Sequence, residues 1–309
     1  MLSVHEYAEA VDNSKVYEAI SPTQLTACPN LDKKTGNTVF IKREDQQPVF
    51  SFKIRGAFNK IAHLSKEELE RGIVTSSAGN HAQGVGFSGQ FFGCKTLIVM
   101  PVSTPTIKIN AVKARGAEVV LHGDSYQEAY NHAREIEKER GLVFVHPFDD
   151  PLVIAGQGTV AKEILADLKT INTAPDYVFV AIGGGGLAAG IGTYLKTHSP
   201  QTKLIGVQSE ESASMLAAFE AGKTVALDWV GSFADGVAVK QVGEETFRVC
   251  REVVDEIITV STDQICAAIK DCFEDTRVLM EPAGALSTAG LKKYVKENQL
   301  SSKNLITVA

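Results

Sequence analysis

The sequence of 309 residues has the composition of an ordinary globular protein, with 44% hydrophobic and 22% charged residues. Its net charge of −6 argues against a surface for nucleic acid or for an anionic membrane, because both favour excess lysine and arginine. The five cysteines are scattered without a C-x-x-C pair, and Met1 to Lys15 contain acidic residues and no apolar run. We therefore expect a cytoplasmic protein with reduced thiols, no metal site, no leader peptide and no membrane or nucleic-acid partner.

Short β-branched runs alternate with longer helical segments along the chain. The predicted strands are, in chain order, Val39–Lys42, Ile73–Ser76, Thr96–Met100, Val119–His122, Val143–His146, Tyr177–Ile182, Lys203–Gln208, Ile257–Val260 and Leu305–Val308. The S-x-x-E/Q pattern that starts helices occurs at Ser65–Glu68, Ser125–Glu128 and Ser261–Gln264. Apolar strands separated by helices predict parallel sheets with helices on both faces, and therefore an α/β fold.

The strand and helix units between Gly72 and Pro147 are compact enough to form a smaller sheet of their own. We expect residues 56–147 to be a small domain inserted between residues 1–55 and 148–309, which together form a larger domain. A cleft between the two domains is the expected ligand site.

Lys53 is the first candidate for chemistry. It lies between Phe52 and Ile54 and close to Phe50, so its amine would be partly removed from water. Desolvation favours the neutral amine that attacks an aldehyde. The alternative is an ordinary solvated lysine on the first turn of a helix, with its stem on apolar side chains.

The segment Ser76 to Gly84 follows a predicted strand and is rich in small residues. Several backbone N–H groups at such a strand-to-helix junction are suited to hold a carboxylate. Asn80 can donate to a ring oxygen, and His81 is an acid, a base or a spacer. The competing interpretation is an ordinary helix start in which Gly79 eases the turn.

Four consecutive glycines, Gly183 to Gly186, precede Leu187 between a strand and a helix. Their amides can turn toward one point at a helix N-terminus, which predicts a phosphate site. A dinucleotide site would favour an acidic residue at the end of the next strand, where Gln208 stands, although Glu210 and Glu211 lie close by. No G-K-[ST] follows the glycines, so we expect a single phosphate.

A lysine for an aldehyde, a loop for a carboxylate and a nest for one phosphate together suit pyridoxal phosphate. At this point the sequence resembles the serine/threonine dehydratases, which belong to the tryptophan-synthase-β-like class of pyridoxal-phosphate enzymes. The resemblance covers nearly the whole chain and rests on Lys42–Asp45, Ser51–Ala57, Ser76–Gly84, Gly183–Leu187 and Glu281–Ala285. It implies two open, twisted, mostly parallel sheets flanked by helices.

Within that family the chain is most similar to the catalytic part of biosynthetic threonine dehydratases, through Phe233–Lys240 and Thr276–Ala285. The resemblance implies dehydration and deamination of L-threonine to 2-oxobutanoate and ammonia, the first step of isoleucine synthesis, with L-serine as a second substrate. It also implies a homo-oligomer, either a dimer or a tetramer.

The resemblance assigns roles to the candidate residues. Lys53 would bond to the cofactor aldehyde beside Phe52, and Asn80 would bind the 3′ oxygen of its ring. The phosphate would lie against Gly183, Gly184, Gly185, Gly186 and Leu187. The substrate carboxylate would lie against Ser77, Ala78, Gly79, Asn80 and His81.

Two departures from the family pattern concern the end of the chain. A family serine that pairs with the pyridine nitrogen follows the last strand, and we expect its loop after Ala309. The C-terminal regulatory domain of biosynthetic members is also absent from these residues, which predicts either a catalytic fragment or an unregulated relative.

Four alternatives stay open. A racemase of the same class needs a second acid or base where Ala78 stands, and alanine cannot transfer a proton. A β-replacement enzyme such as cysteine synthase typically has T-S-G-N-T where this chain has Ala78-Gly79-Asn80-His81. From other classes, a non-catalytic amino-acid binder and, more distantly, a nicotinamide oxidoreductase are possible.

Overall fold

The computed structural model describes residues 1–309 as thirteen α-helices and ten strands. The strands are β1 Leu25–Ala27, β2 Thr38–Lys42, β3 Ile73–Ser76, β4 Thr96–Met100, β5 Glu118–Leu121, β6 Val143–Phe144, β7 Tyr177–Ala181, β8 Lys203–Ser209, β9 Glu256–Val260 and β10 Asn304–Val308. They form a six-stranded sheet in the order β1-β2-β10-β7-β8-β9 and a four-stranded sheet in the order β5-β4-β3-β6. Every pair is parallel except β1 with β2, so the predicted α/β class with two mostly parallel sheets is confirmed.

The helices are α1 Val4–Asp12, α2 Pro29–Thr35, α3 Lys53–Ala62, α4 Lys66–Arg71, α5 Asn80–Phe92, α6 Thr106–Lys113, α7 Tyr126–Arg140, α8 Pro151–Thr170, α9 Gly186–His198, α10 Ser214–Ala221, α11 Glu244–Val253, α12 Thr262–Thr276 and α13 Pro282–Asn298. The three S-x-x-E/Q signals all form capping boxes, at the starts of α4, α7 and α12. None of the helices combines the length and the apolar character that crossing a membrane requires.

The larger sheet is covered on both faces, because neighbouring residues of one strand enter different cores. Val178 and Val180 of β7 lie in a cluster of 29 buried residues, whereas Phe179 between them lies in a cluster of 21. Alternate side chains point to opposite faces of a strand, so each cluster packs on its own face. This explains why the strands of this sheet are apolar throughout.

Helix α3 is held between α5 and α8 at very short range. An added Cβ at Gly84 of α5 would lie 3.1 Å from the carbonyl oxygen of Lys53. An added Cβ at Gly156 of α8 would lie 2.6 Å from the carbonyl oxygen of Arg55. Glycine at both positions lets the helices approach backbone to backbone, which fixes the start of α3.

Two strands differ from the sequence prediction by more than one residue at an end. Strand β1 is absent from it because three residues are too few to show periodicity, and β1 pairs antiparallel at the edge of the sheet. Strand β6 pairs with β3 only at Val143 and Phe144 and ends there. After it, the Nδ1 atom of His146 accepts the N–H groups of Phe148 and Asp149 at 3.2 and 2.7 Å, which turns the chain away.

The four strands of the smaller sheet all lie between residues 73 and 144, within the segment 56–147 that the sequence predicts as an inserted domain. The domain boundaries themselves stay a prediction.

Candidate active site

A cleft of about 340 Å³ brings together the three segments that the sequence singles out. All of the predicted cofactor residues line it, namely Phe52, Lys53, Asn80, Gly183, Gly184, Gly185, Gly186 and Leu187. Lys53 and the four glycines are 130 or more residues apart in the chain. Their meeting in one cavity fits one small ligand with an aldehyde and a phosphate better than two separate sites.

Lys53 is the first residue of α3 and is half-buried in the cleft wall. Its Nζ atom donates to the carbonyl oxygen of Pro147 at 3.1 Å and lies 5.4 Å from the ring centre of Phe52. No carboxylate forms an ion pair with it. Burial therefore lowers the pKa of Lys53 to about 8, so a fraction of the amine is neutral at physiological pH.

The glycine loop presents its amides to the cleft. Gly185 has φ +97°, a left-handed conformation that favours glycine. The carbonyl oxygen of Gly184 accepts from Thr246 Oγ1 at 2.7 Å, and that of Gly185 accepts from Cys250 Sγ at 3.6 Å. These bonds hold the carbonyl groups away from the cavity, whereas the N–H groups from Gly183 to Leu187 have no acceptor in the chain.

This donor set fits the phosphate of pyridoxal phosphate. Five unsatisfied amides at the N-terminus of α9 supply hydrogen bonds and positive potential for an anion. The loop also packs closely on Phe148, because a Cβ at Gly184 would lie 2.3 Å from the ring of Phe148. A fixed cradle of this kind leaves an anion little freedom to move.

The carboxylate loop lies at the N-terminus of α5. Ser77 is buried, and its Oγ atom accepts the N–H group of Gly79 at 3.2 Å. A Cβ at Gly79 would meet no atom within 4 Å, so the backbone there is open. Of the five predicted substrate residues only Asn80 lines the cleft itself, and Ser77, Ala78, Gly79 and His81 are not among the lining residues.

His81 is buried, and its Nε2 atom lies 3.0 Å from the carbonyl oxygen of Val145. Since a carbonyl only accepts, Nε2 carries the proton. Burial and the nearby Lys53 lower the pKa of His81 to about 3, so the ring is neutral. This geometry supports the spacer interpretation of His81 rather than the acid or base interpretation.

Two groups of residues beside the site were not assigned a role from the sequence. His146 turns the chain so that the Pro147 carbonyl group meets Lys53, and its only sequence signal is a polar residue at the end of a predicted strand. Arg55 is completely buried and donates to both Glu44 and Glu163 at 2.6–2.9 Å. Glu44 belongs to the Lys42–Asp45 motif, but nothing in that motif identifies Arg55 as its partner.

Asn80 and Glu281 meet across the cleft, with 2.8 Å between Asn80 Nδ2 and Glu281 Oε1. Burial raises the pKa of Glu281 above its ordinary value, and the hydrogen bond from Asn80 opposes this change. Glu281 belongs to the motif Glu281–Ala285, which supports the family resemblance but does not by itself predict a role for Glu281.

A model of the family described as "Pyridoxal-phosphate dependent enzyme" matches residues 16–309. The L-threonine dehydratase biosynthetic of Burkholderia multivorans is 52% identical over 310 residues, which is 99% of this chain and 61% of the relative. The corresponding protein of Escherichia coli is 50% identical and is covered over 97% of this chain and 58% of its own length. The chain thus spans about 60% of the length of these relatives.

Solved structures agree with this similarity. The processed form of threonine deaminase isoform 2 from Solanum lycopersicum has a TM-score of 0.96 at 44% identity, over 99% of this chain and 83% of that one. Maize serine racemase has a TM-score of 0.90 at 28% identity, over 98% of this chain and 92% of that one. The chain therefore belongs to the pyridoxal-phosphate dependent enzymes, and pyridoxal phosphate is its cofactor.

Proposed function

We propose that this chain converts L-threonine to 2-oxobutanoate and ammonia. It also converts L-serine to pyruvate and ammonia, with a lower kcat/KM. The observation that carries the proposal is the meeting of a partly neutral lysine and five unsatisfied amides in one cleft. The identity of about 50% to biosynthetic threonine dehydratases supports threonine as the substrate.

The chain holds its ligands mainly through backbone groups. The amides of Gly183 to Leu187 bind the cofactor phosphate, and Asn80 donates to the ring oxygen. The N-terminus of α5, from Ser77 to His81, binds the substrate carboxylate, and the N–H groups of Ala78, Asn80 and His81 have no acceptor in the chain. Because both anion sites lie at helix starts, the charge of each ligand is met without a buried cation.

Lys53 moves the proton in this proposal. Pyridoxal phosphate supplies the electron sink that makes the α-proton of a bound amino acid acidic. The neutral Nζ atom of Lys53 takes that proton, which its lowered pKa allows near neutral pH. The β-hydroxyl then leaves as water with the proton that Lys53 took from the α-carbon. Hydrolysis of the released enamine takes up water again, so the net loss is ammonia.

The test is to measure ammonia and 2-oxo acid from the cofactor-loaded protein with L-threonine and with L-serine. We expect both products, with a higher kcat/KM for threonine. Sulfide incorporation from O-acetylserine would instead indicate a β-replacement enzyme, and D-serine formed without ammonia would indicate a racemase. A protein that binds the cofactor but converts none of these substrates would contradict the proposal.

We also infer a cytoplasmic homo-oligomer, either a dimer or a tetramer. All five cysteines are free thiols, which suits a reducing compartment. Large apolar side chains are exposed, including Ile107 at 78% and Phe91 at 50%, and such surfaces favour association. Sedimentation equilibrium checks the assembly, and a monomer at micromolar concentration would contradict it.

A further inference from the structure

Two side-chain pairs near the cleft join the segment 56–147 to Asp235 and Glu281. Asn80 Nδ2 donates to Glu281 Oε1 at 2.8 Å, and Lys108 Nζ lies 2.5 Å from Asp235 Oδ2. Only the first pair consists of two residues that line the cleft. The two contacts thus bridge the same parts of the protein, but only one of them reaches the ligand site.

Glu281 is well placed to hold Asn80. It precedes the first residue of α13 but makes no side-chain cap bond with that helix, so its carboxylate is free to point into the cleft. A Cβ at Gly236 would lie 3.4 Å from Glu281 Oε1, which shows that the loop at Gly236 borders this carboxylate. The carboxylate therefore lies between the backbone of one loop and the amide of Asn80.

The chemistry of the pair fixes one orientation of the amide. A carboxylate only accepts hydrogen bonds, so Glu281 must face the nitrogen of Asn80 and not its oxygen. A free asparagine amide can turn by 180° and exchange its N–H edge for its oxygen edge. A charged acceptor at 2.8 Å opposes that rotation more strongly than a neutral one.

The second N–H of the Asn80 amide has no acceptor in the chain. We propose that Glu281 is a positioning residue that fixes the Asn80 amide so that this second N–H, and not the amide oxygen, meets the ring oxygen of the cofactor. The inference rests on the role of Asn80 in the proposed function. It adds that the donor edge of Asn80 is set by a residue 201 positions away in the sequence.

The experiment compares Glu281→Ala, Asn80→Ala and the double variant, each loaded with pyridoxal phosphate. We expect both single variants to shift the visible absorption band and its pH midpoint in the same direction. Each should weaken cofactor binding about tenfold, which corresponds to one hydrogen bond. The double variant should be no worse than Asn80→Ala alone, because the two residues act as a unit.

Asp235→Ala is the matched control, since it removes the neighbouring contact to Lys108 without touching Asn80. It should keep the absorption band and the cofactor affinity of the unchanged protein. Glu281→Gln retains an acceptor oxygen and should restore most of the affinity, which also guards against loss of folding in the alanine variant. Urea unfolding of each apoprotein checks that the fold is kept.

The inference is overturned if Glu281→Ala keeps the unchanged band and affinity, or if its effects add fully to those of Asn80→Ala. These outcomes are independent of substrate. If the protein converts threonine but the effects of Glu281→Ala and Asn80→Ala add, only the role of Glu281 is refuted. If the effects do not add but the cofactor-loaded protein leaves threonine unchanged, only the proposed reaction is refuted.

Discussion

Lys53 and Arg55 lie on the first turn of the same helix, α3, yet the protein treats their charges in opposite ways. Burial alone would lower the pKa of both. Around Arg55, the carboxylates of Glu44 and Glu163 more than reverse this effect and raise its pKa. Around Lys53 there is only the carbonyl oxygen of Pro147, and its pKa falls to about 8.

The comparison shows that the acceptors around a buried cation, and not burial by itself, decide whether it keeps its proton. Arg55 is a permanent charge that ties α3 to the Glu44 segment and to α8. Lys53, two residues earlier, is left without a carboxylate and can act as a base. One helical turn thus carries a structural ion and a reactive amine side by side.

The largest effect is expected when the reactive amine is removed. Lys53→Ala should lower ammonia release from threonine by roughly 10³-fold or more, because the only amine that lines the cleft is lost. The visible absorption band that borohydride bleaches should also vanish. Lys60→Ala is the control, since Lys60 lies on the same helix but pairs with Asp150 at 2.8 Å. Turnover of Lys53→Ala within tenfold of the unchanged protein would refute the role of Lys53.

The second prediction concerns stability and separates the two cations directly. Arg55→Met leaves Glu44 and Glu163 buried without this partner, which should lower the free energy of unfolding by about 3–5 kcal/mol. Lys53→Met removes a desolvated amine that has no carboxylate, and the free energy of unfolding of its apoprotein should stay the same or rise. Urea unfolding measures both. Equal losses of unfolding free energy in the two variants would show that Arg55 does not stabilise the fold more than Lys53 does.

A third prediction uses pH. Only the neutral amine attacks an aldehyde, so the rate at which apoprotein captures pyridoxal phosphate should rise with pH through about 8 and then level off. Phe52→Asp places a carboxylate beside Lys53 and should raise this midpoint by about 1–3 pH units. Phe52→Leu, which adds no charge, should leave the midpoint near that of the unchanged protein. A midpoint that does not respond to Phe52→Asp would show that charge does not control the amine.

The smallest effect is expected at the edge of the Arg55 network. Tyr17 donates its hydroxyl to Glu163 Oε1 at 3.0 Å, so Tyr17→Phe should lower the free energy of unfolding by about 1 kcal/mol. Tyr130→Phe is the control, because the Tyr130 hydroxyl makes no hydrogen bond within the chain. Thermal unfolding of the two variants checks the difference, and equal melting temperatures would place Tyr17 outside the network.

Much of the fold could be predicted from local patterns. The strands Ile73–Ser76 and Thr96–Met100 have the predicted bounds, and the capping box at Ser125 starts α7 as expected. Each of these features is encoded within a few neighbouring residues. The same holds for the glycine loop, whose four consecutive glycines already indicate exposed amides.

The rest depends on residues that are far apart in the sequence. Arg55 is 108 positions from Glu163, and Asn80 is 201 positions from Glu281. No periodicity or motif spacing reports such a pairing, so no role of Arg55 could be predicted from the sequence, and Glu281 could be recognised only as part of a family motif. Contacts between distant residues therefore could not be predicted, even where both residues belong to recognised motifs.

The position of β10 in the larger sheet has a consequence for biosynthesis. Asn304–Val308 lies between β2 and β7, so Thr38–Lys42 gains a ladder partner on that side only after some 260 further residues have been made. The four strands of the smaller sheet, in contrast, come from one continuous stretch. During translation we expect residues 73–144 to acquire structure first, while the segment that leads to Lys53 gains its sheet neighbour only when residues 304–308 have been made.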